Sequence, residues 1–238
     1  MERTPLAARF AEPDWRYERK FVVADRSAPS LQLAIRLHRA GFTHPFPARV
    51  VNNIYLDTHD LRLFRTHVNG TRDRFKLRIR WYGESAGPVA RGVLEVKRKA
   101  GAVGAKEHYP VPPFEYRDSF SFGALRVALL EGVRDPNLRA WLGSVEATIF
   151  NRYRRAYFIS ADRRHRLTLD SHLCFQATGP WRSAARQLQA SEESLILELK
   201  CGVADGPSGA RIAQTLPARL GKYSKYLRGI ERLYGLEA

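Results

Sequence analysis

The 238-residue sequence predicts an α+β fold, mainly antiparallel β, with eight strands closed into a barrel and a few flanking helices. Three observations carry that expectation. Hydropathy alternates with a period of two over most of the chain, as it does where successive side chains face opposite sides of a sheet. Short loop signals rich in Gly, Pro and Asn recur at 43–47, 69–70, 83–88, 101–104, 177–180 and 205–209. Helical periodicity is confined to a few short stretches. Closure is expected because an open sheet of this size would leave unpaired edges.

Taken in order, strands are expected near 15–23, 50–57, 72–82, 90–99, 106–112, 145–159, 165–174 and 193–201. A helix over Ser30–Ala40 follows from apolar residues at Leu31, Ala34, Ile35 and Leu37, with Gly41 as its stop signal. Leu61–His67 reads as a helical turn. Residues 121–133 place Leu125, Leu129 and Leu130 at helical spacing. Pro136 starts a short helix through Leu142, and a last helix is expected from about Lys222 to Tyr234. Residues 1–14 read as an irregular lead-in and 15–238 as one domain, since no repeat, low-complexity segment or linker divides them. No stretch approaches the roughly 18 unbroken apolar residues of a membrane span. The N-terminus lacks the apolar core of a secretion signal. Cys174 and Cys201 have no partner at metal-type spacing, which suits reduced thiols in a cytoplasmic protein.

Charge is the dominant compositional feature. Forty Lys and Arg against twenty-four Asp and Glu give a net charge of +16, which implies an anionic partner. Arg outnumbers Lys, and its planar fork donates two parallel hydrogen bonds to phosphate. The placement of the charges narrows the choice. In Phe75-Lys76-Leu77-Arg78-Ile79-Arg80-Trp81 the three cations share one strand face and the apolar residues the other. The same alternation joins Arg16, Glu18 and Lys20, then Glu95 and Lys97, then Arg166, Thr168 and Asp170, then Glu198 and Lys200. A sheet with one wet face is the ordinary explanation for any one of these strands. All five polar faces carry a cation, however, and like charges on neighbouring strands repel unless an anion sits between them. If Phe75, Ile79 and Trp81 pack outward against helices, the charged faces line the barrel interior, which is wide enough for one small ligand.

Glu18, Glu95 and Glu198 cannot bind phosphate directly. Such carboxylates either hold a divalent metal that bridges to phosphate oxygens or pair with the cations and order them. The seven histidines show no metal-ligand spacing. Asp57 and Asp60 lie in a turn and suit capping. Aromatic residues near Lys76–Arg80 sit opposite the cations, which argues against stacking on nucleic-acid bases.

The ordered set Arg16-Tyr17-Glu18-Arg19-Lys20-Phe21, Ile54-Tyr55-Leu56-Asp57-Thr58, Lys76-Leu77-Arg78-Ile79-Arg80, Leu94-Glu95-Val96-Lys97, Arg166-Leu167-Thr168-Leu169-Asp170, Glu198-Leu199-Lys200 and Lys222-Tyr223-Ser224-Lys225-Tyr226 resembles the VTC (vacuolar transporter chaperone) domain, the polyphosphate polymerase branch of the triphosphate tunnel metalloenzymes. The likeness spans residues 15–235. It implies an eight-stranded tunnel with the C-terminal helix at one mouth, a divalent Mn²⁺ or Mg²⁺, and ATP with inorganic polyphosphate or triphosphate as ligands. The activity it implies is transfer of the γ-phosphoryl group of ATP to polyphosphate. A triphosphatase or a non-catalytic polyphosphate-binding module remains the alternative, and no nucleic-acid partner is expected. By position, Arg78, Arg80, Lys97 and Arg155 resemble catalytic phosphate contacts. Lys20, Lys76, Lys106, Arg166, Lys200, Lys222, Ser224 and Lys225 resemble further phosphate-binding residues. Glu198 resembles the metal ligand, with Glu18 and Glu95 as further candidates. Arg155 is placed inward by the resemblance, with Arg152 and Arg154 on the opposite face. Many tunnel phosphatases open with Glu-x-Glu-x-Lys; here Arg16 replaces the first Glu, which favours the polymerase-like branch.

Overall fold

The structure, a computed structural model, describes residues 15–117, 119–179 and 189–236. The expected lead-in at 1–14 and Pro180 of the expected 177–180 loop lie outside these residues. The described strands are β1 (Arg16–Val23), β2 (Arg49–Thr58), β3 (Asp73–Tyr82), β4 (Gly87–Val89), β5 (Gly92–Ala100), β6 (Val103–Val111), β7 (Phe114–Tyr116), β8 (Val145–Ile159), β9 (His165–Ala177), β10 (Gln189–Glu192), β11 (Leu195–Gly202) and β12 (Leu220–Gly221). The helices are α1 (Ala28–Arg36), α2 (Arg62–Val68), α3 (Phe122–Gly132), α4 (Pro136–Ser144), α5 (Gly206–Thr215) and α6 (Lys225–Tyr234).

Eight strands pair in the order β9-β11-β1-β6-β5-β3-β2-β8, and β8 returns to β9, so the antiparallel sheet closes. All eight are the strands the alternation predicts. Their joints are long ladders except one: β1 meets β6 only at Arg16–Gly104 and Tyr17–Val103. Beyond that seam, β1 takes the two residues of β12 at Lys20 and Phe21.

Two apolar layers lie outside the barrel wall. Leu125 and Leu129 of α3 and Leu138 and Leu142 of α4 cover Ile54, Leu77, Ile79 and Leu94. Leu31 and Ile35 of α1 and Ile212 of α5 cover Phe21, Leu167, Leu197 and Leu199. The apolar strand faces therefore point outward and the charged faces inward. Local caps support the helices: Ser27, Ser121, Asp135 and Ser224 each accept a backbone N–H of the first turn.

A third apolar layer lies inside. Tyr226, Ile230 and Leu233 of α6 pack on Tyr55, Ile149, Phe175 and Ile196, so the last helix fills one end of the barrel. Gly229 makes this approach possible, since a Cβ there would stand 2.9 Å from Phe175 Cδ1. The β8–β9 ladder shifts between Arg152 and Arg154, where β9 has two residues, His172 and Leu173, against the single Tyr153; His172 in this bulge has a φ of 53°. The bulge re-phases β9, so Asp170 and the odd-numbered Leu173 and Phe175 all face inward.

Several expectations change. The last helix begins at Lys225 rather than Lys222, because Ser224 is its N-cap. The first helix begins at Ala28 and ends at Arg36, set by the Ser27 cap and by Pro29 in its first turn. The segment 205–209, expected to be loop, opens helix α5. Its glycines are there for contact: a Cβ at Gly206 would stand 2.7 Å from the Tyr17 ring, and one at Gly209 2.7 Å from Cys201 Sγ. Among the described residues no helix is long and apolar enough to cross a membrane.

Candidate functional site

The lumen is built strand by strand from alternate residues. β3 supplies Lys76, Arg78 and Arg80, β5 supplies Glu95 and Lys97, and β6 supplies Lys106. From β1 come Glu18 and Lys20, from β11 Glu198 and Lys200, and from β8 Tyr153 and Arg155. Ser224 and Lys225 enter at the N-terminus of α6. Most of these side chains surround one cavity of about 50 Å³, together with Tyr55. Nine of them are Lys or Arg. Four carboxylates, Glu18, Glu95, Asp170 and Glu198, pair with these cations, so the lumen keeps a surplus of positive charge.

Each carboxylate orders a set of cations. Glu95 accepts from Arg78 Nε at 2.9 Å, from Arg80 Nη1 at 3.1 Å and from Lys106 Nζ at 3.3 Å. Arg80 is locked further by Asn53 Oδ1 (2.9 Å) and the Tyr153 hydroxyl (3.1 Å). Asp170, fully buried, accepts from Arg155 Nε at 2.6 Å and Nη2 at 2.7 Å, and from Lys225 Nζ at 2.5 Å. Glu198 lies 2.8 Å from Lys200 Nζ, 3.6 Å from Lys225 Nζ, and 3.7 Å from both Lys20 Nζ and Arg155 Nη2. Glu18 pairs with Lys97 at 2.9 Å and Lys20 at 3.2 Å. Ser224 Oγ accepts from Lys76 Nζ at 2.7 Å while also capping α6 through the Leu227 N–H. The positive end of that helix therefore adds to the field of the lumen.

Proton affinities follow from this crowding. Burial pushes every carboxylate up, but the adjacent cations outweigh it. Glu18, Glu95 and Glu198 lie well below the usual carboxylate range, and Asp170 is lowered by Arg155 and Lys225. The lysines divide. Lys20 is raised, since Glu18 and Glu198 overcome its burial. Burial and neighbouring cations hold Lys76 and Lys106 well below the usual lysine value. Lys97 falls to about 8, as burial exceeds the help of Glu18. Lowered lysines in a buried cluster mark uncompensated positive charge, the condition an incoming polyanion relieves.

The structure brings together Lys20, Lys76, Arg78, Arg80, Lys97, Lys106, Arg155, Lys200, Ser224 and Lys225. It does not bring Arg166 or Lys222 to the cavity. Both are exposed, Arg166 because it lies near the start of β9 and Lys222 because it precedes the helix. The expected basic stripe on the last helix breaks up likewise: Lys225 points inward, while Arg228 and Arg232 face Glu192 of β10 at 3.1 and 4.0 Å. Arg155 is buried with Arg152 and Arg154 exposed, as expected. Asp57 caps α2 through the Leu63 and Phe64 N–H groups, both at 2.8 Å, and accepts from the Tyr226 hydroxyl. Sequence reasoning missed Asp170, Tyr55 and Tyr153 as site residues. Asp170 was visible as sharing a face with Thr168, but its pairing with Arg155 and Lys225 crosses three elements.

Among the described residues, no group of three or more His, Cys, Asp or Glu side chains forms a self-sufficient metal site. Glu18 and Glu198, however, lie across neighbouring strands and share Lys20 Nζ. Mg²⁺-type ions in phosphate sites commonly use one or two carboxylates, with phosphate oxygens and water completing the shell. That pair fits such an ion. Glu95 fits less well, since Arg78, Arg80 and Lys106 all donate hydrogen bonds to it, whereas of the cations around Glu198 only Lys200 stands at hydrogen-bond distance. A larger cavity, about 460 Å³, lies on the outer surface beside Pro112, Phe114, Phe120 and Leu125 and gathers no comparable cluster of charge.

A closed antiparallel barrel of eight strands with a cation-lined lumen defines a tunnel protein suited to a polyanion. More particularly, the chain belongs to the VTC domain family, whose model matches residues 15–234. No curated protein matches it. Solved structures similar in fold include PH1819 from Pyrococcus horikoshii, at 11% identity and TM-score 0.50, covering 91% of this chain and 98% of that one. A putative adenylate cyclase from Vibrio parahaemolyticus matches at 10% identity and TM-score 0.49, covering 87% of this chain and 94% of the other. A putative adenylyl cyclase, HpAC1 from Hippeastrum, described as having a dominant triphosphatase activity, matches at 16% identity and TM-score 0.47, covering 90% and 94%.

Proposed function

We propose that this protein is a metal-dependent phosphotransferase that binds the triphosphate of ATP in its lumen and transfers the γ-phosphoryl group to inorganic polyphosphate. One observation carries this most: nine cations, from six strands and the N-terminus of a helix, converge on a single cavity. Membership in the VTC domain family supports it.

Phosphoryl transfer asks a protein mainly for positioning and charge neutralisation. Arg78 and Arg80, held by Glu95, and Arg155, held by Asp170, present fixed forks to phosphate oxygens. Lys97 and Lys106 supply mobile point charges, and Lys76, Ser224 and Lys225 meet the chain near α6. Glu18 and Glu198 would hold Mg²⁺ or Mn²⁺, which when bound neutralises phosphate oxygens. The attacking terminal oxygen of polyphosphate is already ionised, so no strong general base is required.

Incubation of the protein with ATP and Mn²⁺, followed by ³¹P NMR, tests the assignment. Growth of an internal-phosphate signal matched by ADP is the expected result. Orthophosphate alone identifies a triphosphatase instead. Absence of turnover, with tripolyphosphate still bound, identifies a binding module.

A further inference from the structure

Beyond the phosphate cavity, the lumenal face continues to a rim that the phosphate-binding reading leaves unused. On β3 the alternation Lys76, Arg78, Arg80 ends at Tyr82. On β2 the lumenal positions begin at Arg49, and on β8 the position after Arg155 is Tyr157. These strands are adjacent in the order β3-β2-β8. Arg49 stands directly opposite Arg155, and Tyr82 opposite Val51. Tyr82 and Tyr157 therefore lie one strand repeat, roughly 7 Å, beyond Arg80 and Arg155, and Arg49 stands beside Arg155 on the neighbouring strand.

Its side chains form a cluster. The Arg49 guanidinium lies 4.8 Å from the Phe46 ring centroid and 5.7 Å from that of Tyr82. Phe46 meets Tyr157 edge-on at 4.7 Å, and Tyr157 hydrogen-bonds to Tyr82. Phe46 is 40% exposed and Tyr82 50%. Single exposed aromatics are ordinary on a protein surface. Here two rings flank one flat cation, with the third ring, Tyr157, packed edge-on against Phe46, at the edge of a polyanion site, and none of the three belongs to an apolar core cluster. Aromatic faces combined with arginine are the groups on which nucleobases stack.

We propose that Tyr82, Phe46, Tyr157 and Arg49 form a platform for the base of a nucleoside triphosphate whose phosphates occupy the lumen. This rests on the phosphate-binding reading above and adds to it that the donor is recognised as a nucleotide. The base would lie over rings that already hold a planar guanidinium, and the ribose would span the strand repeat to Arg155. Stacking tolerates any base, so the platform selects nucleotides over free tripolyphosphate rather than one base over another.

The test is calorimetric titration of the full chain with ATP and separately with tripolyphosphate, both with Mg²⁺. Wild type should bind ATP more tightly than tripolyphosphate. Tyr82→Ala and Phe46→Ala should each weaken ATP binding about tenfold, the loss of one stacked ring, and leave tripolyphosphate within twofold. Tyr82→Phe, which keeps the ring, should retain ATP affinity. Equal loss for both ligands, or no loss for either, overturns the platform while leaving the lumen as the phosphate site. Failure of wild type to bind either ligand overturns both readings.

Discussion

Replacement of Asp170 by Asn offers the sharpest probe of the lumen. The side chain keeps its shape but loses its charge. Asp170 is completely buried and accepts two hydrogen bonds from Arg155 and one from Lys225, at 2.5–2.7 Å. Removing one partner of a buried ion pair costs about 3–5 kcal/mol, because the remaining charge is left uncompensated. Glu198 remains 3.7 Å from Arg155 and 3.6 Å from Lys225, which places the expected loss at the low end, about 3 kcal/mol. For a chain of this size that lowers Tm by roughly 6–12 °C. The same change increases the positive surplus of the lumen. Saturating tripolyphosphate, by supplying negative charge to Arg155 and Lys225, should therefore raise the Tm of Asp170→Asn more than that of wild type. Thermal unfolding of both proteins with and without tripolyphosphate reads both effects. A Tm change under about 2 °C would refute the buried pair. A full destabilisation that tripolyphosphate leaves untouched would place the phosphate site elsewhere.

Three further outcomes are expected. Folded Lys97 gives up its proton near pH 8, whereas unfolded lysine does so near 10.4. Between those values the unfolded state binds more protons, so the Lys97 contribution raises stability with pH, while tripolyphosphate affinity falls; denaturant unfolding and titration at pH 7, 8.5 and 9.5 should show opposite trends, and parallel trends would contradict the assignment. Arg78→Ala should lower kcat/KM for phosphoryl transfer about 10²–10³-fold, the usual effect of losing one charge-stabilising donor, with its Tm reporting whether the fold survives. Gly229→Ala should lower Tm by roughly 4–8 °C, since the added methyl lands against Ile149 and Phe175 inside the barrel and overpacking costs about 2 kcal/mol; an unchanged Tm would mean that α6 is not seated there.

The acid limb of stability follows from the same contacts. The carboxylates held low by the lumen cations contribute stability that is present above pH 4–5, where unfolded Asp and Glu are ionised, and is lost as pH falls through their folded values. With four such groups buried among nine cations, acid should unfold the chain in a cooperative step and weaken the order of Arg78, Arg80 and Arg155.

What the sequence alone determined is the wall of the barrel. Period-two alternation in eight segments is a local property of the backbone, because consecutive Cβ atoms must face opposite sides of a strand. It therefore revealed the eight strands, the inward sides of Lys76, Arg78, Arg80, Glu95, Lys97, Glu198 and Lys200, and the outward apolar side that helices cover. Tertiary structure decided what depends on groups distant along the chain. The pairing of Asp170 with both Arg155 and Lys225 joins β9, β8 and α6, and no spacing rule encodes it. The bulge at His172 changed the parity of β9 midway. Gly206 and Gly209 read as loop signals, but close approach to Tyr17 and Cys201 requires them within a helix contact. The capping of α6 by Ser224 turned Lys225 into the barrel and left Lys222 outside, a difference of three residues that only the seating of the helix end could fix.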